Sequence, residues 1–354
     1  MNNRPRLFGI NKSNRDYSKA DTWGKNQFNS SFPASLGCFL HAKGMKAVYY
    51  KAKSNMDIEL SYIGIDELYG LNPLGEEIYF SFETQYTTYQ KYVIGSIPRN
   101  DLVILNNGQC ISSLEVKLVA LPDNSTCNLS EDEYGSEIVV RPDTIVYLAC
   151  SIIESCRDDR RDLKLLLGKD GEEIEDWSNP AELLQHICGI SDAIKRIVRA
   201  NVSNQKPIIM EPIWKTEGKS SQLADNCLDV FVWSNLGMLS LFMPSEPENV
   251  HAITRHTRTM IWLYKMLFDY ANNCRFNGEQ IIDELSYNLK NDKAFSSNGL
   301  RTHKIMKCKE LLKPRIMKSE IKNIILGGGQ NLLSPERRFD AIIYNSPDLF
   351  KEEQ

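Results

Sequence analysis

Apolar and polar positions alternate most clearly between Pro98 and Leu118, PRNDLVILNNGQCISSLEVKL. Leu102–Leu105 is an unbroken apolar run of the kind buried on both faces of a sheet. In Ile111–Val119 the apolar Leu114, Val116 and Leu118 alternate with the charged Glu115 and Lys117. At a side-chain period of two, the charges share one face of a strand and the apolar residues the other. Two strands are predicted, joined by the turn signal Asn106-Asn107-Gly108. A three-residue loop ending on Gly108 at positive φ would pair Leu105 with Gln109 and Asp101 with Ser113. Asp101 would then lie diagonal to Glu115, on the face that also carries Lys117. A loop of even length would set Asp101 opposite Leu114 and turn it away from Glu115.

Other periodicities fill in the surroundings. Asp66 to Gly70 reads as a short helical turn, and Glu77 to Tyr92 carries both strand composition and helical spacing of Phe82, Tyr86 and Tyr89. Leu121 to Ser136 is a polar, acidic loop. Arg141-Pro142-Asp143 opens a helix over Thr144 to Ser155, read as scaffold behind a catalytic sheet. Asn179-Pro180-Ala181-Glu182 combines an N-cap, a proline at the first position and a capping-box glutamate, and starts a helix reaching Ala200. His186 on that helix reads as structural. Strands are predicted over 207–214 and 228–242, with a polar loop carrying Lys215 and Lys219 between them. Asn249 to Asn273 is an amphipathic helix with Ile253, Met260, Leu263, Tyr264 and Leu267 on its apolar stripe.

A chain of 354 residues can bury a large core. No apolar run is long enough to span a bilayer, and the first residues do not lead into a signal peptide. Nine cysteines are scattered without CxxC spacing, which fits reduced thiols and a cytoplasmic location and argues against a zinc site or a disulfide framework. His251 and His256 are five apart, a spacing that does not suit a shared metal on one helix. Gly327-Gly328-Gly329 lacks the ending of a phosphate-binding P-loop and reads as a flexible turn.

The formal charge of −4 gives no global argument for nucleic acid, so local balance carries the case. Residues 1–53 hold ten Lys or Arg against Asp16 and Asp21 and form a basic N-terminal arm. Arg15 and Lys25, with Asn26, Gln27 and Asn29, are of the types that contact phosphates and base edges, although packing of the arm through Trp23, Phe28 and Phe32 is compatible with the same residues. Arg255 and Arg258 stand in the first turn of a helix, where cations oppose the macrodipole, which makes them candidates for phosphate contact. Residues 301–322 hold eight Lys or Arg against Glu310 and Glu320 and are the most basic window of the chain.

Asp101, Glu115 and Lys117 on one sheet face have a chemical reading. One or two carboxylates, completed by water and substrate phosphate, suit Mg²⁺, and a nearby ammonium can orient a metal-activated water. The pattern Pro98-x-x-Asp101, then Glu115-x-Lys117, resembles the PD-(D/E)XK nuclease signature, with Asn100 standing where the bare signature places proline. An ordinary hairpin with a solvated charged face carries the same residues.

SNRDYSKADTWGKNQFNSSFPASL, followed by PRNDLVIL and LEVKLVALPD, resembles the HindVP family of type II restriction endonucleases over roughly the first 125 residues. The resemblance implies an α/β, restriction-endonuclease-like PD-(D/E)XK core with a central mixed β-sheet flanked by helices. It implies Mg²⁺-dependent cleavage of double-stranded DNA at a short palindrome, of the GRCGYC type for the family's named member. By position, the family's catalytic residues fall on Asp101, Glu115 and Lys117, with Asp101 and Glu115 on the metal. Glu83, and after it Glu77, is the candidate for a further acid on the element before the Asp101 strand. A homodimer suits a palindrome, and a cognate DNA methyltransferase would belong to the same system without forming a stable complex. Three parts are expected: the arm at 1–53, a catalytic core with insertions at 54–250, and a helical, basic part at 251–354. The competing classes are a structure-specific or repair nuclease and a DNA-binding protein without chemistry.

Overall fold

A computed structural model of the chain describes residues 6–17, 25–52, 58–118, 138–156, 159–201, 208–217, 220–233, 251–291, 294–297 and 315–327. The chain begins with α1 (Lys25–Ala42), the hairpin β1 (Ala47–Ala52) and β2 (Ile58–Ile63), and the short α2 (Ile65–Tyr69). Then come β3 (Ile78–Thr84), a 3₁₀ turn (Thr87–Tyr92), β4 (Asn100–Asn106) and β5 (Gln109–Leu118). A short β6 (Ile138–Val140) leads into α3 (Pro142–Ser155), α4 (Arg160–Leu167), α5 (Asp170–Glu173) and α6 (Pro180–Ala200). The long hairpin β7 (Ile208–Glu217) and β8 (Ser220–Trp233) is followed by α7 (Arg255–Asn273), α8 (Gly278–Glu284), β9 (Phe295–Ser297) and α9 (Lys318–Ile325).

Seven strands form one sheet in the order β2-β1-β7-β8-β5-β4-β3, and β6 pairs with β9 apart from it. Every strand pairing in the seven-stranded sheet is antiparallel, which corrects the expected mixed sheet. For β1–β2, β4–β5 and β7–β8 the reason is in the connections: these are hairpins, and a parallel pair needs a crossover of a dozen or more residues. The expected polar loop at 214–226 also belongs to the sheet. β7 and β8 run through it to the pair Glu217–Ser220, so ladder hydrogen bonds override its poor strand composition.

The sheet separates two apolar cores. On one side Leu102, Ile104, Leu114 and Val116 pack with Phe80, Phe82, Phe32, Phe39, Tyr69, Ile321 and Ile324, which come from β3, α1, α2 and α9. On the other, Val103 packs with residues of α3, α4, α6, α7 and α8, with Trp262 and Tyr264 among the fully buried side chains. The layers are therefore helix, sheet, helix.

The stretch up to residue 53 contains α1 and β1, and Leu7, Ile10 and Tyr17 belong to the same core as β3 to β5. Residues 12–14 run along the outer edge of β3: the Phe80 amide donates to the Lys12 carbonyl at 3.0 Å, and the Asn14 side chain both donates to and accepts from the Phe82 backbone, at 2.8 and 2.9 Å. A sheet edge that would otherwise present unpaired amides is thereby covered. Beyond residue 250, α7 packs into the second core.

The helix boundaries follow the capping chemistry. Asn179 caps α6 by accepting from the Ala181 amide at 3.0 Å. Glu182 does not close the expected capping box; it turns back to accept from the Glu175 amide at 2.5 Å. Thr254 caps α7 through the Thr257 amide at 3.1 Å, so the helix starts six residues later than its apolar stripe suggested. His186 lies 3.7 Å from Asp170, a contact internal to the helical layer. Gly327 ends α9 with φ at +63°, and a Cβ there would collide with the Arg6 carbonyl, so the N-terminal segment can cross only a glycine.

Candidate active site

The β4–β5 hairpin turns on two residues, Asn107 and Gly108, with Asn106 opposite Gln109. Both turn residues have positive φ, +49° and +78°, as the primed hairpin turns require. The expected three-residue loop is thus replaced by a two-residue one. Continued without interruption, that turn would set Asp101 opposite Leu114. A β-bulge intervenes: Leu105 pairs with Cys110 but Ile104 pairs with Ser112, so Ile111 has no partner in β4. Its side chain is exposed. Beyond the bulge the register runs Val103 to Ser113 and Leu102 to Leu114, where the ladder ends; by strand parity Asp101 and Glu115, the next residue of each strand, fall on the same face. The two acids share a face after all, by a different device.

Just there the two strands part company. β5 leaves β4 after Leu114, and from Glu115 to Leu118 it pairs with β8. The opening leaves the Val116 amide without a strand partner in β4, and Asp101 fills the place: its Oδ2 accepts from that amide at 2.8 Å. The Asp101 amide donates to Asn100 Oδ1 at 2.9 Å, which fixes the start of the strand. Asp101 is half-buried while Glu115 is only 8 % exposed.

The N-terminus of α3 sits over Glu115. Thr144 Oγ1 donates to Glu115 Oε1 at 3.3 Å. Asp143 beside it is exposed by surface area, yet protein crowding its carboxyl raises its pKa, the charge of Glu115 raises it further, and Arg141 partly offsets both. Tyr147, one turn on, donates to the Pro98 carbonyl at 2.8 Å and accepts from the Tyr86 amide at 2.9 Å, tying α3 to the start of β4. Burial holds its phenol protonated well above the usual range. Asp143 and Thr144 were not expected at the site. The signal available for them was a proline-led helix start within reach of the hairpin, which sequence alone could not direct toward Glu115.

Carboxylates gathered at one sheet opening suit a hard cation. Asp101 and Glu115 are of the type that could supply the one or two protein oxygens Mg²⁺ takes when water and phosphate complete its shell, and a cation there would relieve the charge crowding felt at Asp143. Among the described residues, no group of three or more His, Cys, Asp or Glu is arranged as a full protein cage for a metal.

The remaining expected site residues separate into three groups. Lys117 stands two positions after Glu115 in β5, its backbone paired with Phe231; its side chain, like those of Lys25, Asn26, Gln27 and Asn29 in the first turns of α1, lies outside the described residues. The basic stretch 301–314 lies outside them too. Glu83 is one strand away from Asp101, in β3, with φ at +49° and its carboxylate 3.1 Å from Arg15. Glu77 precedes β3 and is exposed. Arg255 is exposed at the start of α7. Arg258 corrects the expectation of a phosphate contact. It is fully buried, donates to the Lys290 carbonyl at 2.8 Å and to the Ala294 carbonyl at 3.4 Å, and stacks 4.2 Å from the Trp262 ring. A guanidinium committed to backbone carbonyls and an aromatic face is a packing cation.

Comparison with known proteins gives the arrangement its family. No solved structure matches the chain. The chain is 45 % identical to the probable type II restriction enzyme HindVP of Haemophilus influenzae, over 99 % of this chain and 96 % of that protein. It is 43 % identical to the type II restriction enzyme HgiDI of Herpetosiphon aurantiacus, over 99 % of this chain and 98 % of the relative. A family model described as HindVP restriction endonuclease matches residues 23–350. With identity sustained over nearly the whole length, the chain belongs to the HindVP restriction endonuclease family and is a type II restriction enzyme.

Proposed function

We propose that this endonuclease cleaves double-stranded DNA at a short palindrome by Mg²⁺-dependent hydrolysis on a PD-(D/E)XK site built from Asp101, Glu115 and Lys117. The observation that supports the reading is the register of β4 against β5, which by parity leaves Asp101 and Glu115 on one face just where the strands separate. Bound between them, Mg²⁺ would polarise a phosphoryl oxygen and lower the pKa of a bound water. The protein's part is orientation. The Val116 amide holds one oxygen of Asp101, and Thr144 steadies Glu115. Lys117, at the strand position that repeats the parity of Glu115, positions the attacking water and offsets charge as its oxygen joins phosphorus and the leaving oxygen departs in line. A two-fold dimer would present two such sites to the two strands of a palindrome, with a GRCGYC-type sequence as the first target to try.

Purified protein with Mg²⁺ and unmethylated plasmid is expected to yield discrete fragments. Asp101→Ala and Lys117→Ala are expected to abolish cutting while a band shift with the same DNA survives. Retained Mg²⁺-dependent cutting in both variants would overturn the site. A smear would make the chain a nonspecific nuclease, and a shift without cutting in the wild-type protein a binder.

A further inference from the structure

We propose that the pocket between Arg15 and Arg99, beside the catalytic opening, binds a backbone phosphate of the DNA, and that Glu83 is the counter-ion which holds Arg15 until the phosphate arrives. The inference rests on the reading of Asp101 and Glu115 as the cleavage site and adds a substrate contact one strand away. An open pocket of about 510 Å³ is lined by Asn14, Arg15, Phe82, Glu83, Thr84, Gln85 and Arg99. It lies at the end of the hairpin that carries Asp101, because Thr84 pairs with Asn100 and Arg99 immediately precedes that pair. Apart from Glu83 its polar lining is neutral or cationic. A second pocket of about 560 Å³, whose charged lining is Arg6, Lys12, Arg15 and Asp16, shares Asn14 and Arg15 with it along the edge of β3.

The two arginines differ in a way that suits a phosphate. Arg99 is exposed. The Arg15 side chain is 13 % exposed, lies 5.6 Å over the Phe82 ring, and has its Nε enclosed without a hydrogen-bond partner. A buried guanidinium donor left unmatched is costly, and a tetrahedral oxyanion supplies the acceptors that one carboxylate oxygen does not. Glu83 reaches Arg15 from a left-handed backbone conformation that non-glycine residues rarely adopt. Strain of this sort persists where surrounding contacts over-determine it and clusters at ligand sites. Asn14 stays in place by its two bonds to the Phe82 backbone, so Arg15 is presented from a fixed point.

The test is DNA binding by the full-length protein in EDTA, where the cation plays no part, measured against salt concentration on a 30-base-pair duplex. Arg99→Ala, a change at an exposed side chain, is expected to weaken binding several-fold on any duplex and to reduce the slope of log affinity against log salt by about 1. Arg15→Lys, which keeps the charge but loses the fork, is expected to weaken binding with the slope unchanged. Glu83→Gln is expected to tighten it. Slopes and affinities of Arg99→Ala and Glu83→Gln equal to wild type would overturn the proposal, as would weaker binding in Glu83→Gln. Because these readouts are taken without Mg²⁺, failure of the Asp101 reading in the plasmid assay leaves them unaffected, and the converse holds too.

Discussion

The two faces of β4 and β5 are made by the same residues in alternation, and they serve opposite ends. The face toward α1 and α9 carries Leu102, Ile104, Leu114 and Val116, all buried among apolar neighbours. The face toward α3 carries Val103 and Ser113 and then, at the opening of the ladder, Asp101 and Glu115. One face holds the strands in place mainly through apolar packing, with the small hydroxyl of Ser112 among it. The other keeps two acids half or wholly out of water, a cost that a purely structural sheet would not bear. The contrast teaches that the acids are tolerated because the opposite face over-stabilises the hairpin, and that register, which decides which residue belongs to which face, is the quantity to perturb.

The largest effect should come from the bulge. Deleting Ile111 removes the one residue of β5 that lacks a partner and leaves Asp101 on the face of Glu115, so plasmid cleavage is expected to survive. Deleting Leu105, in β4 on the other side of the bulge, moves Asp101 opposite Leu114 and turns the two acids to different faces; cleavage is expected to vanish. Equal activity in the two deletions would break the claim that register assembles the site. Next in size, Ile104→Ala acts on the apolar face alone. It should cost about 2–5 kcal/mol in chemical denaturation while cleavage at a temperature below the lowered midpoint persists. A fully stable Ile104→Ala variant without cleavage would reverse the roles assigned to the faces.

Much of this was legible in the chain. The alternation of Glu115 and Lys117 with Leu114, Val116 and Leu118 placed the strand, Leu114 and Val116 lie on the face opposite Glu115 as it predicted, and Asn179-Pro180 placed α6. What sequence could not give was the route by which Asp101 meets Glu115. The turn residues fit a two-residue loop, which alone predicts the wrong face, and the bulge that corrects it has no signature in the turn residues. Arg258 misled for a related reason: a cation in a first helical turn is unfavourable locally, but the carbonyls of Lys290 and Ala294 that accept from it arrive from more than thirty residues away. The polar hairpin of β7 and β8 escaped because strand composition is a weak guide where the ladder itself supplies the partners.

The smallest test concerns the cost of the charged face itself. The Asp143 carboxyl is pushed above its ordinary pKa, first by the protein that crowds it and then by the charge of Glu115. The folded state therefore holds that proton more tightly than the unfolded state. The stabilising contribution is fully present below the unfolded value of about 4, and it is lost as pH rises through the folded one. Asp143→Asn keeps a neutral side chain at every pH. It is expected to raise stability near pH 7 slightly and to flatten the stability curve just above pH 4, as read by denaturant midpoints across that range in the absence of divalent cation. Were the variant instead less stable at pH 7, with the curve unchanged, Asp143 would be a stabilising helix-terminal acid, and the crowding of charge on the α3 face would lose its thermodynamic mark.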